Sequence, residues 1–182
     1  MQRWNPTTGQ FEAYSPGERR YPELPPKLLS QFDAIEPSFD GIVHYYPCRV
    51  RLRSNLWENC VYLAESSEYI RAWGVWPDED QGKLEVKIEE VEEIQESPLR
   101  LPLRFARVLY KAGESGMGYT LFALRYEDSS VSYHLAGNAI DFIALPDGKS
   151  IKNVATVLPH HGRDQTNLVR SPKYSWCLFT KT

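Results

Sequence analysis

Disulfide chemistry has little to work with in this chain. Its 182 residues contain three cysteines, Cys48, Cys60 and Cys177, an odd number with no Cys-x-x-Cys pair. A disulfide scaffold needs more cysteines at closer spacing, so a reducing, cytoplasmic setting is expected. Cys48 with Cys60 is the one bridge the pattern leaves open. Long apolar runs are missing as well. None approaches the ~20 residues that cross a bilayer, and Met1-Gln2-Arg3-Trp4-Asn5-Pro6 has no apolar leader segment. Excess positive charge is also lacking: 21 Lys+Arg stand against 24 Asp+Glu, a formal net charge of −3. With no global basic field to hold a phosphate backbone, a nucleic-acid binder is not expected.

What the chain does have is a folding composition, 42% hydrophobic, 13% aromatic and 25% charged, which excludes wholesale disorder. Residues 1–47 stand apart. They hold Pro6, Pro16, Pro22, Pro25, Pro26, Pro37 and Pro47 with Trp4, Tyr14, Tyr21, Tyr45 and Tyr46 among them. Proline removes ladder donors, so this stretch reads as an extended proline-rich arm rather than sheet. One helix is expected inside it, opened by Pro25-Pro26 and carrying Leu28, Leu29, Phe32 and Ile35 to Pro37. Its rings need apolar surface, and a partner's surface is the expected source.

From residue 48 the period becomes two. Runs at 49–53, 59–65, 69–75 and 83–88 alternate and are separated by turn residues, with Val91 and Ile94 suggesting a closing turn of helix. A similar pattern recurs: a strand at 103–111 whose alternation slips near Ala106, then 119–126, 130–135, a short helix from Gly137 to Ile143, and a strand at 151–158. The expectation is a mainly β chain with two tandem small SH3-like β-barrels, 48–97 and 98–162, followed by a tail at 163–182. One larger mixed barrel or sandwich is the alternative. Core positions follow from the alternation: Val50, Leu52, Val61, Leu63, Leu84, Val86, Ile88, Leu121, Ala123, Val131, Tyr133, Val154 and Val157.

Chemistry-bearing constellations are few. His160-His161-Gly162-Arg163 offers an acid–base pair, but sequence neighbours point apart, and Cys48, Cys60, Cys177, His44 and His134 have no metal-ligand spacing. Gly113-Glu114-Ser115-Gly116-Met117-Gly118 offers backbone N–H groups to an anion. It lacks the Lys-Ser/Thr of a phosphate loop, and Met117 stands where a nucleophile elbow needs glycine. Neither metal nor cofactor is expected. Charge is segregated: acids crowd residues 78–96, bases crowd 100–111, and Arg49, Arg51 and Arg53 share one strand face. Trp73 and Trp76, read on one strand, fall on opposite faces.

The leading expectation is a non-catalytic interaction or adaptor module. It would dock on another protein through Trp73, Trp76, Arg49, Arg51, Arg53, Trp4 and Tyr14. The alternative is a small enzyme or ligand-binding β-barrel using His160, His161, Arg163, Gly116 and Gly118.

Overall fold

A computed structural model describes the chain except Met1, Pro6, Ile42, Gln81 and Thr182, and except the side chains of residues 2–5 and 11. The chain is mainly β, with one sheet of six strands, one of four and a two-stranded hairpin. The hairpin is β1 (Gln2–Asn5) with β2 (Gln10–Ala13). The large sheet contains β3 (Ser38–Asp40), β4 (Val43–Leu52), β5 (Trp57–Glu65), β6 (Leu84–Glu85), β7 (Val91–Gln95) and β12 (Ser175–Phe179). Its order is β3-β4-β5-β12-β6, with β7 also paired to β4. The small sheet runs β10-β8-β9-β11, from β8 (Thr120–Tyr126), β9 (Val131–Ala136), β10 (Val154–Pro159) and β11 (Val169–Arg170). Neither sheet closes into a barrel among the described residues.

Two expected strands are helices, which removes the strands that barrel closure would have needed. Ser66–Trp73 forms α2, capped by the Glu65 carboxylate accepting from the Glu68 N–H at 3.0 Å and ended by Gly74 at φ +69°. Tyr69 and Trp73 are four apart, a spacing that keeps one face in a helix and in a strand alike. Leu103–Ala112 forms α3, entered at Pro102 and stopped at Gly113. Its buried residues are Phe105, Ala106 and Leu109. The apparent slip at Ala106 is therefore helical periodicity.

The expected tight turn of helix is confined to a 3-10 turn at Ile88–Glu90, and Val91–Gln95 after it is a strand. Arg51 pairs with Glu93 and Leu52 with Val91, so a bulge at Glu92 makes the spacing of three. Residues 137–143 form no helix. The expected arm also enters the fold. Its helix α1 (Leu29–Asp33) follows a 3-10 turn at Pro26–Leu28, while β3 and the start of β4 are sheet. Pro47 is accommodated in β4 because it falls between the stretches paired with β3 and β7, where that side has no partner strand.

Three apolar clusters hold the layers. Leu28, Phe32 and Ile35 cover one face of the large sheet with Val50, Val61, Leu63 and Phe179. The other face carries Tyr45, Tyr62, Tyr69, Trp76 and Trp176, and takes Ala139 and Phe142 from the second half of the chain. The third cluster packs α3 on the small sheet through Leu101, Phe105, Phe122 and Leu124. Of the expected core, Val50, Val61, Leu63, Ile88, Leu121, Ala123, Val154 and Val157 are buried; Leu52, Val86 and Tyr133 are half-buried. Leu84 and Val131 are exposed. On β9 the buried face belongs instead to Ser132, His134 and Ala136, where Tyr126 OH, Ser132 Oγ and His134 Nε2 satisfy one another at 2.8 and 2.7 Å.

The halves meet at a fully buried carboxylate. Asp141 Oδ2 accepts from the Tyr110 hydroxyl at 2.6 Å and Oδ1 accepts from Ser38, while its N–H donates to Tyr62 OH at 3.0 Å. Burial outweighs these donors and raises its pKa above the usual carboxylate range. No bridge joins Cys48 and Cys60: all three cysteines are free and buried. No described helix is long and apolar enough to cross a membrane.

Candidate binding cleft

A cleft of about 580 Å³ opens between the two sheets, bounded by the turn before β6 on one side and by β9 and β11 on the other. Leu84, Tyr119, Leu135 and Tyr174 give it apolar walls, and Gly118 contributes backbone from the glycine turn. Lys83, Arg170 and Lys173 supply positive charge, and no acid lines it. Arg170 and Lys173 are exposed, and neither is in an ion pair among the described residues.

Behind Lys83 stands an aromatic wall centred on Trp176. Tyr69 and Trp73 meet that indole at centroid distances of 4.9 and 5.6 Å, and Tyr174 meets it at 5.9 Å. The Lys83 ammonium lies 4.0 Å from the Trp73 ring centroid and 5.5 Å from that of Tyr69. Asp80 approaches it to 3.0 Å, an ion pair without hydrogen-bond alignment. Burial lowers the Lys83 pKa, and Asp80 offsets this only in part.

Six buried side-chain polar atoms lack a hydrogen-bond partner among the described residues. Lys83 Nζ and Ser171 Oγ belong to residues that line this cleft, while Tyr69 OH, Trp73 Nε1 and Trp176 Nε1 lie in the aromatic cluster beneath Lys83, with Tyr69 and Trp176 fully buried. All five can donate. Trp73 Nε1 comes near the Tyr45 hydroxyl but does not meet hydrogen-bond geometry. The sixth, Arg100 Nε, sits beside Asp141.

Of the residues read as a docking surface, most have internal partners. Trp76 is 4% exposed and donates to Gly17 O at 2.9 Å, with Tyr21 at 5.4 Å between ring centroids and the Arg19 guanidinium over it. The arm covers it. Trp73, on α2, is half-buried under Lys83. Arg49 bonds Gln95 at 3.1 Å and lies 4.4 Å from the Trp57 ring centroid. Arg51 pairs with Glu93 at 2.9 Å and Arg53 with Glu92 at 3.5 Å, so the basic face meets the acidic β7 within the fold. Tyr14 donates to Glu79. The Trp4 side chain lies outside the described residues.

The alternative set is partly brought together. Ser115 Oγ and His160 Nδ1 are 2.9 Å apart, and His160 Nε2 is 3.2 Å from Ala112 O. Nε2 must carry the proton to serve that carbonyl, leaving Nδ1 to accept from the serine. Arg163 donates to Ser115 O at 2.8 Å. His161 turns away to Pro159 O at 2.8 Å, as adjacent residues do. No carboxylate bonds His160 among the described residues, and the Leu121 N–H donates to Ser115 Oγ at 2.9 Å, so the group ties the glycine turn to the loop after β10. A side chain at Gly116 would run into the Tyr119 ring, and Gly118 sits at φ +81°. Both glycines serve the turn. No group of three or more His, Cys, Asp or Glu suited to a metal ion occurs among the described residues.

Sequence reasoning missed Lys83, Ser171 and Tyr174. Nothing in local spacing joins residue 83 to residues 171 and 174. They meet because β12 inserts beside β6. No known family, curated protein or solved structure matches the chain.

Proposed function

We propose that the protein is a non-catalytic interaction module that docks on another protein through the cleft between its sheets. The observation that carries this reading is the combination at that cleft of exposed apolar surface with two cations, Arg170 and Lys173, that have no ion-pair partner among the described residues. Exposed cations beside apolar walls suit a partner's surface of complementary charge. The surface first read from Trp73, Trp76 and the arginine stripe contributes less, because its groups are already engaged within the chain. The test is capture on the immobilised full-length chain, repeated with Leu84→Asp/Arg170→Glu and with His160→Ala/His161→Ala. One bound protein should be lost with the first variant and retained within about threefold with the second.

A second reading rests on the Ser115–His160 contact at 2.9 Å: a small hydrolytic or ligand-binding site beside the glycine turn. Hydrolysis of p-nitrophenyl acetate that falls to background in both Ser115→Ala and His160→Ala would favour it. Equal rates in all three proteins would remove it.

A further inference from the structure

We infer that the docking partner presents an acidic segment: a carboxylate meets Arg170 and Lys173, and a neighbouring aliphatic or aromatic side chain covers Leu84. This rests on the docking reading above and adds the chemistry of the occupant. The exposed cations of the cleft, Arg170 and Lys173, are donors, and an ionised carboxylate is an acceptor and nothing else. No Asp or Glu among the described lining residues competes for them, whereas Lys83 already has Asp80 at 3.0 Å. Charge-assisted bonds from an ammonium or guanidinium to a carboxylate are among the stronger ones available to a surface, which suits the unpaired Arg170 and Lys173.

The apolar part follows from the walls. Leu84 is 49% exposed, and Leu135, Tyr119 and Tyr174 stand around it with no polar group of their own to fill the space except the tyrosine hydroxyls. A bare small anion would leave this surface wet. A polyanion such as a nucleic-acid backbone would likewise leave the apolar walls uncovered. One or two carboxylates flanked by apolar side chains match both the cations and the walls.

The experiment selects phage-displayed random peptides, about twelve residues long, on the full-length chain and measures the winners by fluorescence anisotropy. Winners should carry Asp or Glu beside an aliphatic or aromatic residue. Their Kd should weaken at least about tenfold on Arg170→Glu/Lys173→Glu, and several-fold between low and high salt. Winners that are lost on Leu84→Asp yet carry no acid would overturn the acidic segment and leave docking at the cleft standing. Winners indifferent to every cleft variant, or no winners at all, would overturn both.

Discussion

Acidification should destabilise the small sheet through one residue, His134. Its imidazole is 1% exposed, stacks on Phe122 with ring centroids 5.1 Å apart, and bonds Ser132 Oγ at 2.7 Å. No acid is available to stabilise its charge, and burial pushes its pKa down from 6.5 to about 4. The unfolded chain therefore binds a proton between about pH 6.5 and 4 that the folded chain does not, so stability falls as pH drops through that window. The full displacement of about 2.5 units corresponds to roughly 3 kcal/mol at ~1.4 kcal/mol per unit, reached below pH 4. At pH 5 the loss from this residue is about 2 kcal/mol, or ~4–8 °C in melting temperature for a chain of this length. The assay is a thermal melt of the protein and of His134→Gln, each at pH 8 and pH 5. The amide keeps a group for Ser132 and cannot gain charge, so the variant should begin lower at pH 8 and lose ~4–8 °C less on acidification. Other titrating groups are common to both proteins and drop out of the difference. Equal losses in the two proteins would refute the assignment.

Asp141→Ala should cost about 3 kcal/mol in a urea melt, because the buried Tyr110 and Ser38 hydroxyls both lose their shared acceptor while Tyr62 keeps the backbone N–H of residue 141, with Asp141→Asn milder. The three thiols should resist Ellman's reagent at pH 8 until the chain unfolds: burial raises the pKa of each, that of Cys60 to about 11. Fast labelling of the folded protein would contradict their burial. A fragment of residues 45–182 should give no cooperative melt, since it lacks Leu28, Phe32 and Ile35, each worth roughly 1.5–3 kcal/mol of burial. An unchanged melting curve would show that the arm is dispensable to the fold.

The strands at Trp57–Glu65 and Thr120–Tyr126 and the second half of Val43–Leu52 are legible because their neighbours in sequence are their neighbours in the sheet, whereas residues 43–47 read as arm on account of Pro47. Alternation together with turn residues sufficed. Tyr69 and Trp73 misled because a separation of four fits both periodicities, and the deciding signals were the caps at Glu65 and Gly74. The last strand was not legible. Ser175–Phe179 is five residues buried on both faces, with no alternation to read, and its partners Val61–Glu65 and Leu84–Glu85 are distant in sequence. The cleft went unread for the same reason, since it exists only once that strand is in place. Charge alone suggests that the Arg49–Arg51–Arg53 stripe is neutralised within the fold by the acids of residues 78–96; which acids do so, Glu93 for Arg51 and Glu92 for Arg53, follows only from the bulged register of β7, which a spacing of three conceals.

The insertion of β12 between β5 and β6 also bears on how the chain is made. Until Ser175–Phe179 leaves the ribosome, β5 has only β4 beside it, and its second edge, Val61–Glu65, is apolar and unpaired. Parallel pairing over such a separation is slow to form, and an open apolar edge recruits other chains. The nascent protein is thus aggregation-prone until that strand has emerged and paired. Truncation a few residues short of Ser175 would make that exposure permanent, yielding inclusion bodies rather than a smaller folded product.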